Sequence, residues 1–262
     1  MTNTSIDISQ FKGTQFNATP DKVSIPRRVV MAITGKYGSG KTHLACTAPG
    51  AIAYYNFDKG DEGVVDKAIA AGKVIYKINY PVPEDLKKQG DAEAIKAAAS
   101  DIWAKHDADY ETSFRAGFAT DIVDTATEQY ELLRLARFGK TEQVNKYAYG
   151  PVNAEYRRFI RRALDNSSTN LILLHRTKKT YVNDSWNGHY ERAGFGDLGF
   201  IVQIELESHY DVEKKEFYAT VVRSRHNPSI IGQSFRGPMC TFPIIAASTF
   251  PGTTPMDWGM EL

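Results

Sequence analysis

The sequence has 262 residues, a formal net charge of +1, 42% hydrophobic residues and 24% charged residues. These proportions are typical of a globular chain with a sizeable core, and the length allows one or two domains. A net charge so close to zero excludes a global field that attracts nucleic acid, so any such binding must come from a local patch. The two cysteines, Cys46 and Cys240, lack metal-ligand spacing and indicate reduced thiols. Because the sequence shows no signal pattern and no apolar run of transmembrane length, we expect a cytoplasmic protein without a membrane partner.

Strand and helix patterns alternate along most of the chain, after a polar stretch at 1–25 that predicts a flexible arm. Short apolar runs predict strands at 29–34, 51–57, 73–78, 118–124 and 171–174. Amphipathic stretches predict helices within 83–115, 125–138 and 151–166. Two later runs, 200–207 and 216–225, predict a hairpin. This order predicts an α/β domain over 26–236, with a mostly parallel central sheet flanked by helices and a C-terminal antiparallel hairpin. The proline-containing tail at 237–262 is expected to lie over the surface.

The most informative segment is a glycine-rich stretch between the first predicted strand and a predicted helix. It fits the phosphate-binding pattern G-x-x-x-x-G-K-[ST] at every fixed position. Glycines let successive backbone N–H groups turn toward phosphate oxygens, where a Cβ would clash. Lys41 then reaches the β- and γ-phosphates and Thr42 holds Mg²⁺, so the segment predicts a nucleoside triphosphate site. The residues of this phosphate loop are Gly35, Lys36, Tyr37, Gly38, Ser39, Gly40, Lys41 and Thr42.

Four carboxylates near predicted strand ends are candidates for metal binding and hydrolysis. Asp124 ends the fourth strand, where a carboxylate completes the Mg²⁺ shell opposite Thr42; alternatively, it caps the following helix. Asp121 competes for the metal role but falls inside that strand. Asp58 follows the second strand and Glu62 lies four residues further on, so both are catalytic candidates for orienting or deprotonating water. The alternative for these two is a solvated acidic turn.

Polar and basic residues follow the fifth predicted strand. His175 ends this strand and is a catalytic candidate that senses the γ-phosphate, although a histidine at a strand end is often structural. The next residues, 176–194, show little periodicity and predict a long irregular loop. This loop interleaves cations with aromatic rings, the combination that binds single-stranded nucleic acid. The candidate nucleic-acid residues are Arg176, Lys178, Lys179, Tyr181 and Trp186.

Two further groups of arginines have several interpretations. The helix at 151–166 carries four of them opposite its apolar face, namely Arg157, Arg158, Arg161 and Arg162. That face is a track for a phosphate backbone, a solvated surface, or a contact to an acidic neighbouring subunit. Arg223 and Arg225 project from one face of the last predicted strand. They are candidate arginine fingers for the nucleotide of an adjacent subunit, with ordinary surface charge as the alternative.

The order of these motifs resembles that of the RecA-like P-loop ATPases. Over residues 27–235 the sequence is similar, more narrowly, to phage-encoded Sak-type single-strand annealing ATPases, through the segments GKYGSGKT, DIVDTATE, YGPVNAEYRRFIRRAL and LILLHRTKK. The resemblance implies a RecA-like P-loop core that binds ATP and Mg²⁺, with Asp124 as the Walker-B carboxylate. It also implies that Asp58 stands where the family has its catalytic glutamate, one methylene shorter. Residues 176–194 would correspond to the DNA-binding loop region.

The same resemblance implies a function in phage recombination, in the cytoplasm of an infected bacterial host. The protein would bind single-stranded DNA and promote annealing or strand pairing as a filament or ring, as a DNA-dependent ATPase of low turnover. A single-strand-binding protein is a further candidate partner. Two alternatives share the phosphate loop: a small-molecule or nucleotide kinase, and a nucleotide-gated assembly or helicase-loading factor.

Overall fold

The computed structural model describes residues 28–58, 60, 63–88, 90–142, 144–165, 168–182 and 185–260. The predicted arm and Glu62 lie outside these residues. The strands are β1 (Val30–Gly35), β2 (Ile52–Asn56), β3 (Ile75–Asn79), β4 (Thr120–Asp124), β5 (Asn170–His175), β6 (Thr177–Val182), β7 (Ser185–Arg192), β8 (Ile204–Asp211), β9 (Glu216–Ser224) and β10 (Ser234–Arg236). The helices are α1 (Lys41–Ala45), α2 (Val64–Ala70), α3 (Pro83–Leu86), α4 (Ala92–Ala116), α5 (Ala126–Phe138), α6 (Tyr149–Asp165) and α7 (Phe242–Thr249).

Eight of these strands form one sheet in the order β10-β9-β8-β1-β5-β4-β2-β3. All neighbours from β8 to β3 are parallel, whereas β9 runs antiparallel to both β8 and β10. The parallel strands therefore end at one edge, where ligands bind in open α/β sheets. The predicted fold class is confirmed: a mostly parallel sheet flanked by helices, with an antiparallel addition near the C-terminus.

Helices cover both faces of the sheet, so its central strands are buried on both sides. Along β5, Leu171 and Leu173 pack into one core together with α4, α5 and α6. Ile172 and Leu174 point the other way, into a second core with α1 and α7. This arrangement explains why the central strands are continuous apolar runs rather than alternating ones.

The long helix α4 shows how local sequence sets an element. Asp91 caps its N-terminus by accepting hydrogen bonds from the backbone N–H groups of Glu93 and Ala94 at 3.1 and 2.9 Å. Gly117 ends it in the left-handed conformation, with φ of 76°. Its buried side chains recur every three or four residues, at Ile95, Ala99, Trp103, His106 and Tyr110. No helix among the described residues combines the length and apolarity needed to cross a membrane.

Three sequence-based expectations were wrong in detail. The stretch expected to be an irregular loop after His175 forms the antiparallel hairpin of β6 and β7. Its side chains are mostly exposed, so burial imposes no apolar alternation that the sequence could display. β8 begins at Ile204 rather than near residue 200, because 196–200 form a 3₁₀ turn. The C-terminal tail is not a surface segment, since α7 buries Phe242 and Ile245 in the second core. The domain boundaries remain predictions.

Candidate nucleotide-binding site

The phosphate loop joins β1 to α1 at the carboxyl edge of the sheet. It forms one wall of a cavity of about 450 Å³ that Asp58, Asp124, Arg176 and Phe217 also line. Gly40 has φ of 88°, and a Cβ there would lie 2.4 Å from the ring of Phe217. Glycine is therefore required at this position by both backbone conformation and space.

Lys41 lies against the backbone of its own loop. Its Nζ donates hydrogen bonds to the carbonyl oxygens of Gly35 at 3.0 Å and Lys36 at 2.9 Å. Burial lowers the pKa of Lys41, while the nearby carboxylate of Asp124 opposes this shift. The ammonium group therefore stands beside the cavity, where phosphate oxygens can take the place of the loop carbonyls.

Asp124 and Thr42 meet on the wall of this cavity. The hydroxyl of Thr42 donates to Oδ2 of Asp124 at 2.8 Å, and the hydroxyl of Tyr54 donates to the same oxygen at 2.5 Å. Burial raises the pKa of Asp124, and the hydrogen bonds from Tyr54 and Thr42 act against that rise. A hydroxyl and a carboxylate side by side are hard oxygen donors, so this pair fits Mg²⁺.

Asp121 faces the opposite side of the sheet, in the core beneath α4. It is fully buried, and Tyr55 donates a hydrogen bond to its Oδ1 at 3.2 Å. The hydroxyl of Ser113 lies 3.0 Å from Oδ2 of Asp121 and 2.7 Å from the carbonyl of Tyr110. Burial raises the pKa of Asp121 to about 7. A protonated Asp121 can donate to Ser113 while Ser113 donates to Tyr110, so this carboxyl group is suited to a core role rather than to metal binding.

Arg176 connects two carboxylates at the mouth of the cavity. Its guanidinium donates to Asp58 at 2.9 Å and also pairs with Glu128 of α5. Burial raises the pKa of Glu128, and the charge of Arg176 lowers it. The backbone N–H of Arg176 donates to the hydroxyl of Thr127 at 3.0 Å. The structure therefore places Arg176, predicted to contact nucleic acid, in the nucleotide cavity at the base of the β6–β7 hairpin.

His175 ends β5 one residue earlier, and its side chain is fully buried. Its Nδ1 lies 3.1 Å from the carbonyl oxygen of Ala193, while its Nε2 has no hydrogen-bond partner among the described residues. Burial lowers the pKa of His175 to about 3, so the ring is neutral. The described lining of the cavity does not include it. Its role as a γ-phosphate sensor remains a prediction.

The other candidate nucleic-acid residues lie on the β6–β7 hairpin. Lys178 forms an ion pair with Glu191 at 3.1 Å, and the Nζ of Lys179 lies 5.1 Å from the centre of the Trp186 ring. Tyr181 and Trp186 are exposed. The hairpin thus presents both charge and stacking surfaces to solvent.

The arginines of α6 divide into two pairs. Arg157 and Arg162 are half-buried and form ion pairs within the chain, with Asp197 and Asp107 respectively. Arg158 and Arg161 are exposed. Only this second pair therefore keeps its cations open to an outside partner.

Arg223 and Arg225 lie outside the described lining of the candidate nucleotide cavity of their own chain. Arg223 is paired in register with Glu205 at the start of β8, whereas the phosphate loop begins beside Ser208, three residues further along that strand. Arg225 donates to the carbonyl oxygen of Phe200. The role of this pair as arginine fingers for the nucleotide of an adjacent subunit remains a prediction.

Several residues of the site were not predicted from the sequence, among them Tyr54, Glu128 and Phe217. Thr125 and Glu128 have the spacing of a helix capping box, and Thr125 does accept from the Glu128 N–H at 3.3 Å. That pattern predicts a cap but not the ion pair with Arg176. Nothing in the sequence shows which of Tyr54 and Tyr55 faces the loop, because both lie in a strand buried on both sides.

A family model described as an AAA domain matches residues 27–194. The crystal structure of the RadB recombinase is similar with a TM-score of 0.47 and 15% identity, over 80% of this chain and 87% of that chain. No curated protein matches the sequence.

Proposed function

Because the chain belongs to the AAA domain family, whose model covers residues 27–194, we propose that it is an ATP- and Mg²⁺-dependent protein that binds single-stranded DNA through the β6–β7 hairpin. One observation carries this proposal: Arg176 lies at the base of the hairpin and bridges Asp58, which lines the nucleotide cavity, to Glu128 of α5. A ligand entering the cavity therefore acts on a residue that is continuous with the candidate DNA surface.

The residues of the cavity support binding and slow hydrolysis of ATP. Lys41 would bind the β- and γ-phosphates, and Thr42 and Asp124 would hold Mg²⁺. The ion would supply positive charge to the phosphate oxygens. Asp58 would accept a proton from water or orient it, but its carboxylate is engaged by Arg176 at 2.9 Å. Because this ion pair competes with that role, we expect low turnover until Arg176 moves toward a phosphate.

The coupling to DNA follows from the contacts around Arg176. Thr127 accepts from the Arg176 N–H at 3.0 Å and donates to the carbonyl oxygen of Ala193 at 3.3 Å, so one α5 hydroxyl contacts both ends of the hairpin. The Ala193 N–H donates to the carbonyl oxygen of Arg176 at 2.8 Å. A shift of the Arg176 guanidinium would therefore alter the base of the hairpin, and with it the orientation of Trp186.

The test is fluorescence anisotropy of a labelled oligo-dT strand with no nucleotide, with ADP, and with a slowly hydrolysed ATP analogue. We expect the analogue to increase the affinity of wild type for the strand but not that of Lys41→Ala. Arg176→Ala should still bind the analogue, but its affinity for the strand should not increase. Arg115→Ala is the matched control, because Arg115 is an exposed arginine of α4 paired with Glu111 of the same helix. Absence of nucleotide-stimulated DNA binding in wild type would contradict the proposal.

We further propose that the active form is a filament or ring in which Arg223 and Arg225 reach the nucleotide of an adjacent subunit. Lys41→Ala subunits keep intact arginines, and Arg223→Ala subunits keep an intact phosphate loop. Mixing the two inactive variants should therefore restore part of the ATPase activity. If the mixture stays inactive and electron microscopy shows monomers with the analogue and DNA, this part of the proposal fails.

The place of the activity in phage recombination, by annealing or strand pairing, is supported by the order of the sequence motifs. An annealing assay with two complementary labelled strands tests it. ATP-dependent acceleration is expected, with no acceleration by Lys41→Ala. Phosphorylation of a nucleoside monophosphate without DNA would favour the kinase alternative instead.

A further inference from the structure

A second cavity, of about 620 Å³, lies beside the nucleotide cavity and shares part of its lining. Its walls come from three places: the phosphate loop, the hairpin strand β7, and the end of β8 with the adjoining part of β9. The volume is within the usual range for a small-molecule site and exceeds what a single nucleobase needs.

The two cavities share a wall. Lys36, Tyr37, Gly38 and Ser39 line both of them, so ligands in the two cavities would contact the same short loop. The loop is also held by a residue of the second cavity, because the Ser208 hydroxyl donates to the carbonyl oxygen of Ser39 at 2.5 Å. An occupant of the second cavity would therefore touch the phosphate loop directly.

The second cavity is lined by aromatic rings that are only partly covered. Tyr190 and Tyr210 are 40% and 43% exposed, and Tyr37 is 95% exposed. His209 stacks on Tyr218 with ring centres 4.8 Å apart and an interplanar angle of 18°. The exposed rings of Tyr37, Tyr190 and Tyr210 offer flat surfaces on which unpaired bases stack, whichever base is present.

A cation lies within this aromatic group. The Nζ of Lys36 is 4.4 Å from the centre of the Tyr190 ring, at the boundary between the two cavities. Arg236 lies behind Tyr218, with its guanidinium carbon 4.1 Å from the ring centre. Glu207 is the acidic residue of the described lining. Lys36 can therefore meet the phosphate of a nucleotide whose base lies among the tyrosines.

We propose that this second cavity binds an unpaired nucleobase and that its occupant acts on the phosphate loop through the residues that the two cavities share. The inference rests on the proposed function for the source of the base, which is a strand lying along the hairpin. A free nucleotide has the same chemistry and is distinguished by experiment. A base bound here would contact Lys36 directly. DNA binding would then act on the phosphate loop in addition to its effect on the nucleotide cavity through Arg176.

The test uses Tyr190→Leu and Tyr210→Leu, which keep apolar bulk but remove the flat ring. Tyr76→Leu is the matched control, because Tyr76 is an exposed tyrosine on β3 at the far edge of the sheet. Tyr181→Leu changes the exposed hairpin surface at a ring outside the described lining of the cavity, whereas the Trp186 ring contacts Tyr190 with ring centres 5.8 Å apart and is left intact. The probes are an oligo-dT strand with one 2-aminopurine base, and 2-aminopurine nucleoside monophosphate alone.

For wild type we expect the fluorescence of 2-aminopurine to be quenched when the strand binds. In both cavity variants, Tyr190→Leu and Tyr210→Leu, we expect the strand to bind about ten-fold more weakly and the quenching to be lost. If both variants bind and quench like Tyr76→Leu, the inference is wrong, and a loss confined to Tyr181→Leu would leave the proposed function standing. If only the free monophosphate is quenched, through the same tyrosines, the cavity binds a nucleobase but the DNA-binding proposal fails.

Discussion

Replacing Tyr54 with phenylalanine should make Mg²⁺-dependent nucleotide binding more sensitive to acid. The Tyr54 hydroxyl donates to Oδ2 of Asp124 at 2.5 Å, in a buried setting where Thr42 supplies another hydrogen bond to the same oxygen. Burial raises the pKa of Asp124, and the Tyr54 hydrogen bond is the largest effect that opposes the rise. Removing that bond therefore raises the pKa of Asp124 further.

The size of the effect follows from the strength of a hydrogen bond to a charged group, about 1.5–3 kcal/mol. That energy corresponds to a factor of roughly ten to a hundred in the equilibrium between ionised and protonated carboxyl groups. Because Mg²⁺ needs the ionised form, Tyr54→Phe should lose Mg²⁺-dependent affinity at a higher pH than wild type as the pH falls. At alkaline pH, where Asp124 is ionised in both proteins, the difference should shrink.

The assay is titration of a fluorescent ATP analogue across pH, with and without Mg²⁺. Tyr55→Phe is the matched control, because Tyr55 is the next residue in β2 and donates to Asp121 on the opposite face of the sheet. It should leave the pH profile of Mg²⁺-dependent binding unchanged. Identical profiles for the two variants would refute the assignment of Asp124 to the metal.

Two further predictions concern stability, measured by urea unfolding. In the folded protein the pKa of Asp121 is raised to about 7 from 3.8. The contribution of this group to the free energy of unfolding is therefore fully present below pH 3.8 and is lost as the pH rises through 7. In Asp121→Asn the free energy of unfolding should therefore fall less steeply with rising pH than in wild type, where the fall approaches about 1.4 kcal/mol per pH unit for one proton. The same pH dependence in both proteins would contradict the prediction. Gly117 and Gly139 both end helices with positive φ, but a Cβ lies 2.0 Å from the Ala92 carbonyl oxygen only at Gly139. Gly117→Ala should cost about 1–2 kcal/mol and Gly139→Ala clearly more; equal losses would argue against that contact.

The phosphate loop was predictable because each of its requirements is local. The glycines, Lys41 and Thr42 act through backbone conformation and through reach along a single turn, and a linear pattern records both. The class of fold was predictable for a similar reason, since apolar runs alternating with amphipathic stretches imply a parallel sheet covered by helices. Asp124 was placed correctly at a strand end because the end of an apolar run is visible in the sequence.

The β6–β7 hairpin was missed because its strands lie in solvent. Without a buried face, β-strands need no alternation of apolar and polar residues, so the segment around Lys179 showed no period. The tail was misjudged for the opposite reason: prolines suggested a surface segment, but α7 begins with Pro243 near its N-terminus, where proline is tolerated.

The sequence by itself determined that a phosphate loop follows a buried strand, and that carboxylates and basic residues end the neighbouring strands. Only the tertiary structure decided which of them meet. Arg176 is 118 positions from Asp58 along the chain and yet donates to it, because β2 and β5 end at the same edge of the sheet with β4 between them. Tyr54 and Tyr55 are neighbours in sequence but donate hydrogen bonds to different carboxylates, Asp124 and Asp121 respectively. They do so because successive side chains of a strand point to opposite faces of the sheet. Such pairings depend on strand order and facing, which no local pattern encodes.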